Sequence, residues 1–370
     1  MPLRLRDLAV GARDLLRPKG EESGHLPIVG RFLHLMVDMA EHCNLRCTHC
    51  AFVWWRDEVL SGKKISPELI ARLEREVFPH CWRVSLSCFH EPLVAPSRLI
   101  SALEACVRAG VIRTDFVTNG LLMTEKLCRQ LMETGLRRIQ FSVDGASSET
   151  YDRVRLGGRF EDFEAKLAMI SRVRRELGYD KNRVELSFIS CMMKSNVHEA
   201  PRLVELAHRH EVDAVELRYL MKSDAAVVSS DELLWNAPEA ADRAFDEAIP
   251  LAERLGVRLE LTPPRFRDLA RARGEGAPSP PPPYRDCGFP GNSMVLSPGG
   301  DVFPCCLWHG SDSLGNLERK SLDEVWNSLE YRVLRRDLAA GRPARAACRT
   351  CIVQRDMQNP NYWDPYPFRR

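Results

Sequence analysis

Three cysteines lie within eight residues of one another, in the stretch CNLRCTHC. Cys43, Cys47 and Cys50 give the spacing Cys-x3-Cys-x2-Cys and directly follow an apolar segment with the composition of a strand. Three thiolates on one short loop suit an iron–sulfur cube, because each thiolate binds a different iron and the fourth iron stays open to a small molecule. Zinc is the alternative, with His42 or His49 as the fourth ligand, although the sequence has no second zinc knuckle within the usual span.

The chain has 13 cysteines among 370 residues, and an odd number excludes complete disulfide pairing within one chain. The first 20 residues lack the continuous apolar stretch of a secretory signal. We therefore expect a reducing, cytoplasmic setting in which some thiolates bind metal. The formal net charge is +2, and no uncharged apolar run approaches the roughly 18 residues that span a bilayer, so we expect neither nucleic acid nor a membrane as a partner.

After the cysteine-rich loop, predicted strands and helices alternate about six times along the chain. Apolar runs predict strands at 31–39, 82–88, 113–118, 137–143, 183–191 and 214–220. Helical spacing predicts helices at 66–77, 96–109, 124–134, 160–177 and 197–210, with Ser66 and Thr124 as N-caps. This alternation predicts an α/β fold with a mostly parallel sheet or barrel, in which chemistry takes place at the carboxyl ends of the strands.

Composition divides the chain into five parts. We expect an N-terminal helical extension, an α/β core, a helical and proline-rich connector, a small cysteine-rich domain and a C-terminal tail. These parts are residues 1–30, 31–222, 223–285, 286–352 and 353–370. The connector contains RGEGAPSPPPPY, and polyproline is an extended and fairly stiff spacer. The small domain is rich in glycine, proline and aspartate, so we expect bound metal to stabilise it where apolar burial cannot.

Four further motifs follow the cysteine loop in chain order, at successive strand ends. They are CFHEPL at 88–93, VTNG at 117–120, FSVDG at 141–145 and YDRVRLGGRF at 151–160. Together with CNLRCTHC they resemble the radical S-adenosylmethionine (radical SAM) superfamily. The resemblance implies a partial (β/α)6 barrel of the TIM type and a [4Fe–4S] cluster on Cys43, Cys47 and Cys50.

The same resemblance implies contacts to S-adenosylmethionine (SAM). Glu91 would accept a hydrogen bond from the methionyl amino group, and Asn119 would contact the ribose or the methionyl end. Ser142 would bind the ribose hydroxyls, and Arg155 would hold the methionyl carboxylate. Phe89 and His90 stand where the family has two glycines. A one-electron reductant such as flavodoxin or ferredoxin would reduce the cluster, which would then cleave SAM to methionine and a 5′-deoxyadenosyl radical.

A second set of cysteines lies in the small domain. Cys287 and Cys305 follow the pattern Cys-x12-Gly-x4-Cys, and Cys348-x2-Cys351 comes later, after LGNLERKSLDEVWNS at 314–328. This arrangement resembles the auxiliary iron–sulfur domains called SPASM and twitch, in the version with one cluster. The resemblance implies that these four cysteines ligate a second [4Fe–4S] cluster, and a four-cysteine zinc ribbon is the alternative.

Three reactions fit these motifs. The leading expectation is dehydrogenation of a carbinol in a small-molecule substrate such as a sugar, aminocyclitol or natural-product intermediate, with the auxiliary cluster accepting an electron. The first alternative is epimerisation with Cys306 as hydrogen donor, for which Cys88 is a weaker candidate. The second is a peptide-modifying maturase, against which we count that only 42 residues precede Cys43. Other residues considered are His309 and Asp224 as bases, Arg218 as a substrate contact, and Trp54 and Trp55 as a shield for the cluster.

Overall fold

The computed structural model describes residues 24–50, 62–220, 227–262, 265–268, 287–308, 313–342 and 344–349. Within this part of the chain, one sheet contains nine strands in the order β7-β6-β5-β4-β3-β2-β1-β8-β9. The strands are β1 (Leu33–Val37), β2 (Cys81–Ser85), β3 (Arg113–Thr118), β4 (Arg138–Ser142), β5 (Glu185–Met192), β6 (Ala214–Tyr219), β7 (Arg258–Thr262), β8 (Ser293–Leu296) and β9 (Val302–Phe303).

Helices connect most of these strands. They are α1 (Pro67–Glu76), α2 (Pro96–Arg108), α3 (Glu125–Thr134), α4 (Ser148–Val154), α5 (Phe160–Glu176), α6 (Ala200–Arg209), α7 (Pro238–Leu255), α8 (Phe289–Asn292), α9 (Leu322–Trp326), α10 (Leu329–Ala339) and α11 (Ala346–Arg349). Ser66 caps α1 and Thr124 caps α3, each by accepting a hydrogen bond from the backbone three residues later, as the sequence predicts.

All strand pairs from β1 to β7 are parallel and lie in chain order, so their carboxyl ends meet along one edge of the sheet. This arrangement confirms the predicted α/β fold with an unclosed barrel. It also contains a seventh parallel strand, β7, which lies in the segment predicted as a connector. Arg258 and Glu260 alternate with leucines in β7, and five residues of this pattern give a weak strand signal.

The small C-terminal segment belongs to the same sheet. Strand β8 pairs in parallel with β1, and β9 pairs antiparallel with β8. The backbone N–H of Asp38 donates to the carbonyl of Leu296, which extends the pairing beyond β1. The cysteine-rich segment is therefore joined to the strand that leads into the cysteine loop.

The two faces of the sheet differ in chemistry. The face covered by helices is apolar and includes Leu33, Leu35 and Val37 of β1, all fully buried. The opposite face carries hydrogen-bonded polar side chains. Arg83 donates to both carboxylate oxygens of Asp115, at 2.7 and 3.0 Å. On β6 of the same sheet, Arg218 forms an ion pair with Glu216.

Asp115 is held by charge as well as by hydrogen bonds. Ser85 Oγ also donates to Asp115 Oδ1, at 2.7 Å. Burial alone would raise the pKa of Asp115, but the charge and hydrogen bonds of Arg83 outweigh it and lower the pKa to about 2. The inner surface of the barrel is thus a polar layer that depends on ionised groups. Among the described residues, no helix has the length and apolar composition needed to cross a membrane.

Candidate active site

The cysteine loop follows β1, and its three thiols lie close enough to interact electrostatically. Cys47 is buried, while Cys43 and Cys50 are half-buried. The pKa of the Cys43 thiol is raised to about 12, first by burial and also by the charges of Glu91, Cys47 and Cys50. The three thiols and the Glu91 carboxylate therefore lie near one another at the carboxyl end of the sheet, and their roles as cluster ligands and SAM contact stay predictions.

The backbone after α4 clamps the cysteine loop in place. Arg46 N–H donates to the carbonyl of Leu156 at 2.8 Å, and Thr48 N–H donates to the carbonyl of Val154 at 2.9 Å. Gly157 has a φ of +94°, in the left-handed region, and a Cβ there would lie 3.7 Å from the carbonyl oxygen of Asn44. These contacts place Arg155, between the two clamping carbonyls, against the thiols.

Arg155 lies between a carboxylate and a predicted cluster ligand. Its Nη2 is 2.7 Å from Asp144 Oδ2, and its Nη1 is 3.8 Å from Cys47 Sγ. Burial would lower the pKa of Arg155, but the charge of Asp144 reverses this and raises it. Its Nε is buried and has no hydrogen-bond partner within the described structure. The guanidinium is thus fixed in place with one donor still available for a ligand.

Glu91 lies in the loop after β2, with only 4% of its surface exposed. Its Oε1 accepts hydrogen bonds from Leu93 N–H at 3.0 Å and from Thr118 Oγ1 at 2.6 Å, and its Oε2 accepts from Asn119 N–H at 2.8 Å. Burial raises the pKa of Glu91, and these hydrogen bonds act in the opposite direction. The carboxylate is a rigid acceptor beside the cysteine loop, suited to an ammonium group.

Asp38, which the sequence analysis missed, holds the loop that carries Glu91. Its Oδ1 accepts the backbone N–H groups of Cys88 at 2.7 Å, Phe89 at 3.0 Å and His90 at 3.3 Å. Its Oδ2 is 3.1 Å from His90 Nδ1. Three backbone donors converge on one carboxylate where the family has its glycine pair. A signal was available in the sequence, because Asp38 interrupts the apolar run LHLMVDMA.

Asn119 and Ser142 occupy the predicted strand ends. The Asn119 side-chain amide donates to Asn44 Oδ1 in the cysteine loop at 2.9 Å, and its oxygen accepts from Leu121 N–H at 3.0 Å. Ser142 is the half-buried last residue of β4. Asp144, two residues later, is the second carboxylate that the sequence analysis missed; it accepts from Cys191 N–H at 2.7 Å as well as pairing with Arg155.

The predicted auxiliary ligands are placed in part. Cys287, Cys305 and Cys348 are half-buried and pack against the main hydrophobic core, whereas Cys351 lies outside the described residues. Cys306 is half-buried beside Cys305. Within the described structure, no three His, Cys, Asp or Glu side chains are arranged to bind a single metal ion, and the ligand assignments stay predictions.

Cys88 connects the loop that carries Glu91 to this segment. Burial raises the pKa of the Cys88 thiol, and the charges of Cys306, Asp38 and Cys305 raise it further, so these groups lie close together. Arg218 forms an ion pair with Glu216 at 2.6 Å on the inner surface of β6. Four other residues considered from the sequence lie outside the described residues: His309, Asp224, Trp54 and Trp55.

Two family models match the chain on either side of the connector. The radical SAM superfamily model matches residues 37–207, which contain all of the SAM-site residues described above. The SPASM model, an iron–sulfur cluster-binding domain, matches residues 287–352. The chain belongs to the radical SAM superfamily. It is a radical SAM enzyme with a C-terminal SPASM domain, and its cofactors are [4Fe–4S] clusters and SAM.

Characterised relatives match most of this radical SAM chain. The tungsten-containing aldehyde ferredoxin oxidoreductase cofactor-modifying protein of Pyrococcus furiosus is 24% identical over 322 residues, covering 80% of this chain and 82% of the relative. The PqqA peptide cyclase of Xanthomonas euvesicatoria is 23% identical over 318 residues, covering 80% and 75%. Streptococcus suis SuiB bound to precursor peptide SuiA shares the fold, with a TM-score of 0.66, 14% identity and coverage of 91% and 72%.

Proposed function

We propose that this enzyme uses a SAM-derived radical to modify a peptide or a peptide-derived substrate. The radical chemistry is supported by one observation above all: Glu91 and Arg155 converge on the loop of Cys43, Cys47 and Cys50. An acceptor for the amino group and a cation for the carboxylate of the methionyl end thus lie beside the three thiols that would hold the cluster.

The chain's own residues bind and orient the cofactors. Cys43, Cys47 and Cys50 would hold the SAM-binding cluster, and the thiol donor set fits it. Glu91 would accept from the methionyl ammonium, and the buried Nε of Arg155 would donate to the methionyl carboxylate. When bound, the cluster and SAM supply a 5′-deoxyadenosyl radical that abstracts a hydrogen atom from the substrate. Asn119 and Ser142 would contact the ribose at the ends of β3 and β4.

In the C-terminal segment, Cys287, Cys305, Cys348 and Cys351 would hold the auxiliary cluster. The half-buried positions of the first three, against the core, support this assignment. Packing against the core would limit the access of water to a cluster held by these residues, which helps radical chemistry to avoid side reactions.

A peptide substrate is favoured over the sugar or aminocyclitol expected from the sequence. The PqqA peptide cyclase acts on a peptide, and SuiB has been crystallised with its precursor peptide. The polar inner surface of the barrel suits a peptide, because a peptide backbone needs donors and acceptors along its length, although it would suit a sugar equally well. Gln140, Glu216 and Arg218 provide such groups on neighbouring strands.

The test begins with reconstituted protein, which should contain about eight irons per chain if both clusters are [4Fe–4S]. Dithionite and SAM should release 5′-deoxyadenosine, and Cys47→Ala should abolish the release. A panel of peptides and a panel of sugars and aminocyclitols are then compared for stimulation of this release and for a change of substrate mass. Stimulation by a peptide, with a mass change in that peptide, is the expected result.

Two outcomes would redirect the assignment. Stimulation by the carbinol panel alone would contradict a peptide substrate and restore dehydrogenation as the reaction. A peptide product that gains deuterium from deuterated water, and that fails to form with Cys306→Ala, would indicate epimerisation with Cys306 as the hydrogen donor.

A further inference from the structure

Arg335 is a half-buried cation in α10 that has no carboxylate partner among the described residues. Its Nε donates to the carbonyl of Pro290 at 2.7 Å, and its Nη1 donates to the carbonyl of Gly24 at 3.2 Å. Its Nη2 is buried and has no hydrogen-bond partner in the part of the chain that the structure describes. Burial lowers the pKa of Arg335 to about 10. A charge removed from water normally has a counter-charge, and the described residues do not supply one to this guanidinium.

A second donor without a partner lies one turn earlier in the same helix. The Tyr331 side chain is fully buried, and its hydroxyl makes no hydrogen bond to any described residue. The guanidinium carbon of Arg335 is 5.0 Å from the centroid of the Tyr331 ring and 4.2 Å from that of the Trp326 ring. These ring faces stabilise the cation in part. They offer the Tyr331 hydroxyl no acceptor, so they do not complete the site.

Both donors lie against the segments that carry the auxiliary cysteines. Pro290, which accepts from Arg335, follows Cys287 by three residues. Ser293 Oγ donates to the carbonyl of Phe289 at 3.0 Å and is 3.5 Å from the carbonyl oxygen of Pro304, the residue before Cys305. Burial raises the pKa of Tyr331, the charge of Arg335 lowers it, and Cys305 is close enough to add to the rise.

An anion with sulfur acceptors completes this arrangement. A [4Fe–4S] cluster on four thiolates is negatively charged, and its reduction potential depends on nearby charge and on hydrogen bonds to its sulfurs. We propose that Arg335 and Tyr331 compensate the charge of the auxiliary cluster, donate toward its sulfurs and raise its reduction potential. The inference rests on the proposed assignment of Cys287, Cys305, Cys348 and Cys351 as the cluster ligands.

The test isolates the auxiliary cluster in the full chain by replacing Cys43, Cys47 and Cys50 with alanine. Arg335→Met, Arg335→Lys and Tyr331→Phe are then compared in this background, with Arg336→Met as the matched control. Arg336 is the next residue of the same helix, but its side chain is half exposed and faces Asp337. Iron content is measured first, and the cluster potential follows from a redox titration monitored by electron paramagnetic resonance.

We expect the potential to become more negative in Arg335→Met, and by a smaller amount in Tyr331→Phe, because the more negative reduced state loses its compensating groups. Arg335→Lys should keep most of the original potential, and Arg336→Met should keep all of it. Equal potentials in Arg335→Met and Arg336→Met would overturn the inference. If Arg335→Met loses its iron, retention of iron and potential by Arg335→Lys supports charge compensation, and loss of iron from Arg335→Lys as well contradicts it.

Failure of the underlying assignment has a different signature. A background chain that binds no iron even with Arg335 and Tyr331 intact would refute the four-cysteine cluster itself. A background chain that binds about four irons, with a potential insensitive to both residues, would leave the ligand assignment in place and refute only the role of Arg335 and Tyr331.

Discussion

Replacing Glu91 by glutamine distinguishes the contribution of its carboxylate to SAM binding from its contribution to folding stability. The Glu91 carboxylate accepts from Leu93 N–H and Thr118 Oγ1 on one oxygen and from Asn119 N–H on the other. In either orientation of a glutamine amide, its NH2 group meets a backbone N–H. One buried donor then loses its acceptor, which costs about 1–3 kcal/mol of folding free energy. We expect the midpoint of thermal unfolding to fall by several degrees.

The loss of SAM binding should be the larger effect. A hydrogen bond to a charged group contributes about 1.5–3 kcal/mol, and Glu91→Gln removes the charge that would pair with the methionyl ammonium. That energy corresponds to an increase of roughly 10- to 150-fold in the SAM concentration that half-saturates the enzyme. The assay is release of 5′-deoxyadenosine with dithionite as SAM is titrated, at a temperature where the variant stays folded.

Glu199→Gln is the matched control. Glu199 is 1% exposed and also accepts three hydrogen bonds, from Ala146 N–H, Ser147 Oγ and Thr150 Oγ1. It should leave the SAM requirement unchanged. It should cost less thermal stability than Glu91→Gln, because the amide oxygen can keep Ala146 N–H while the hydroxyls of Ser147 and Thr150 accept from the NH2 group. If both variants raise the SAM requirement equally, or if Glu91→Gln leaves it unchanged, the carboxylate does not bind the methionyl end.

Three further predictions concern other buried charges. Asp38→Asn should raise the SAM concentration for half-saturation about tenfold with little change in kcat, because the loop that carries Glu91 loses its charged acceptor. Asp115→Asn is the control, and it should lower thermal stability without changing that concentration. Arg155→Met should destabilise the fold by about 3–5 kcal/mol in urea unfolding, since it leaves the buried Asp144 carboxylate without its guanidinium partner. Adding Asp144→Asn should restore stability but not SAM cleavage. The pKa of Asp115 is about 2 instead of the usual 3.8, which stabilises the folded state above pH 4 by about 2 kcal/mol. This contribution is lost as the pH falls from about 4 to 2, so the difference in unfolding free energy between wild type and Asp115→Asn should narrow over that range. A constant difference would contradict the assignment.

Local signals in the sequence predict most of the core architecture. Strand β3 coincides with its predicted bounds, and the Ser66 and Thr124 caps form as expected, because apolar spacing and cap chemistry act over a few residues. Helix α4 was not predicted, since its last four residues lie within a motif that was interpreted for its arginine. Strand β7 was not predicted, because the polar residues on its inner face give it the composition of a surface segment.

The details of the site depend on contacts between residues that are distant in the sequence, and local patterns do not predict such contacts. Asp38 meets the backbone of residues 88–90, some 50 positions away, and Arg155 pairs with Asp144 across a turn and a helix. The family resemblance placed Glu91 beside the thiols, and the pKa of Cys43 reflects that proximity. It did not indicate what holds the loop that lacks the two glycines, because the carboxylate that accepts from its backbone follows a different strand.

The pairing of β8 with β1 means that the SPASM segment is not a detachable module. His34 to Val37 of β1 meet Ser293 to Leu296 of β8 along their whole length. Cutting the chain before Cys287 would turn β1 from an interior strand into an open edge, with its backbone donors and acceptors available for another chain. An isolated barrel fragment should therefore aggregate instead of yielding a simpler enzyme, so dissection of the two clusters is better achieved with cysteine substitutions in the intact chain.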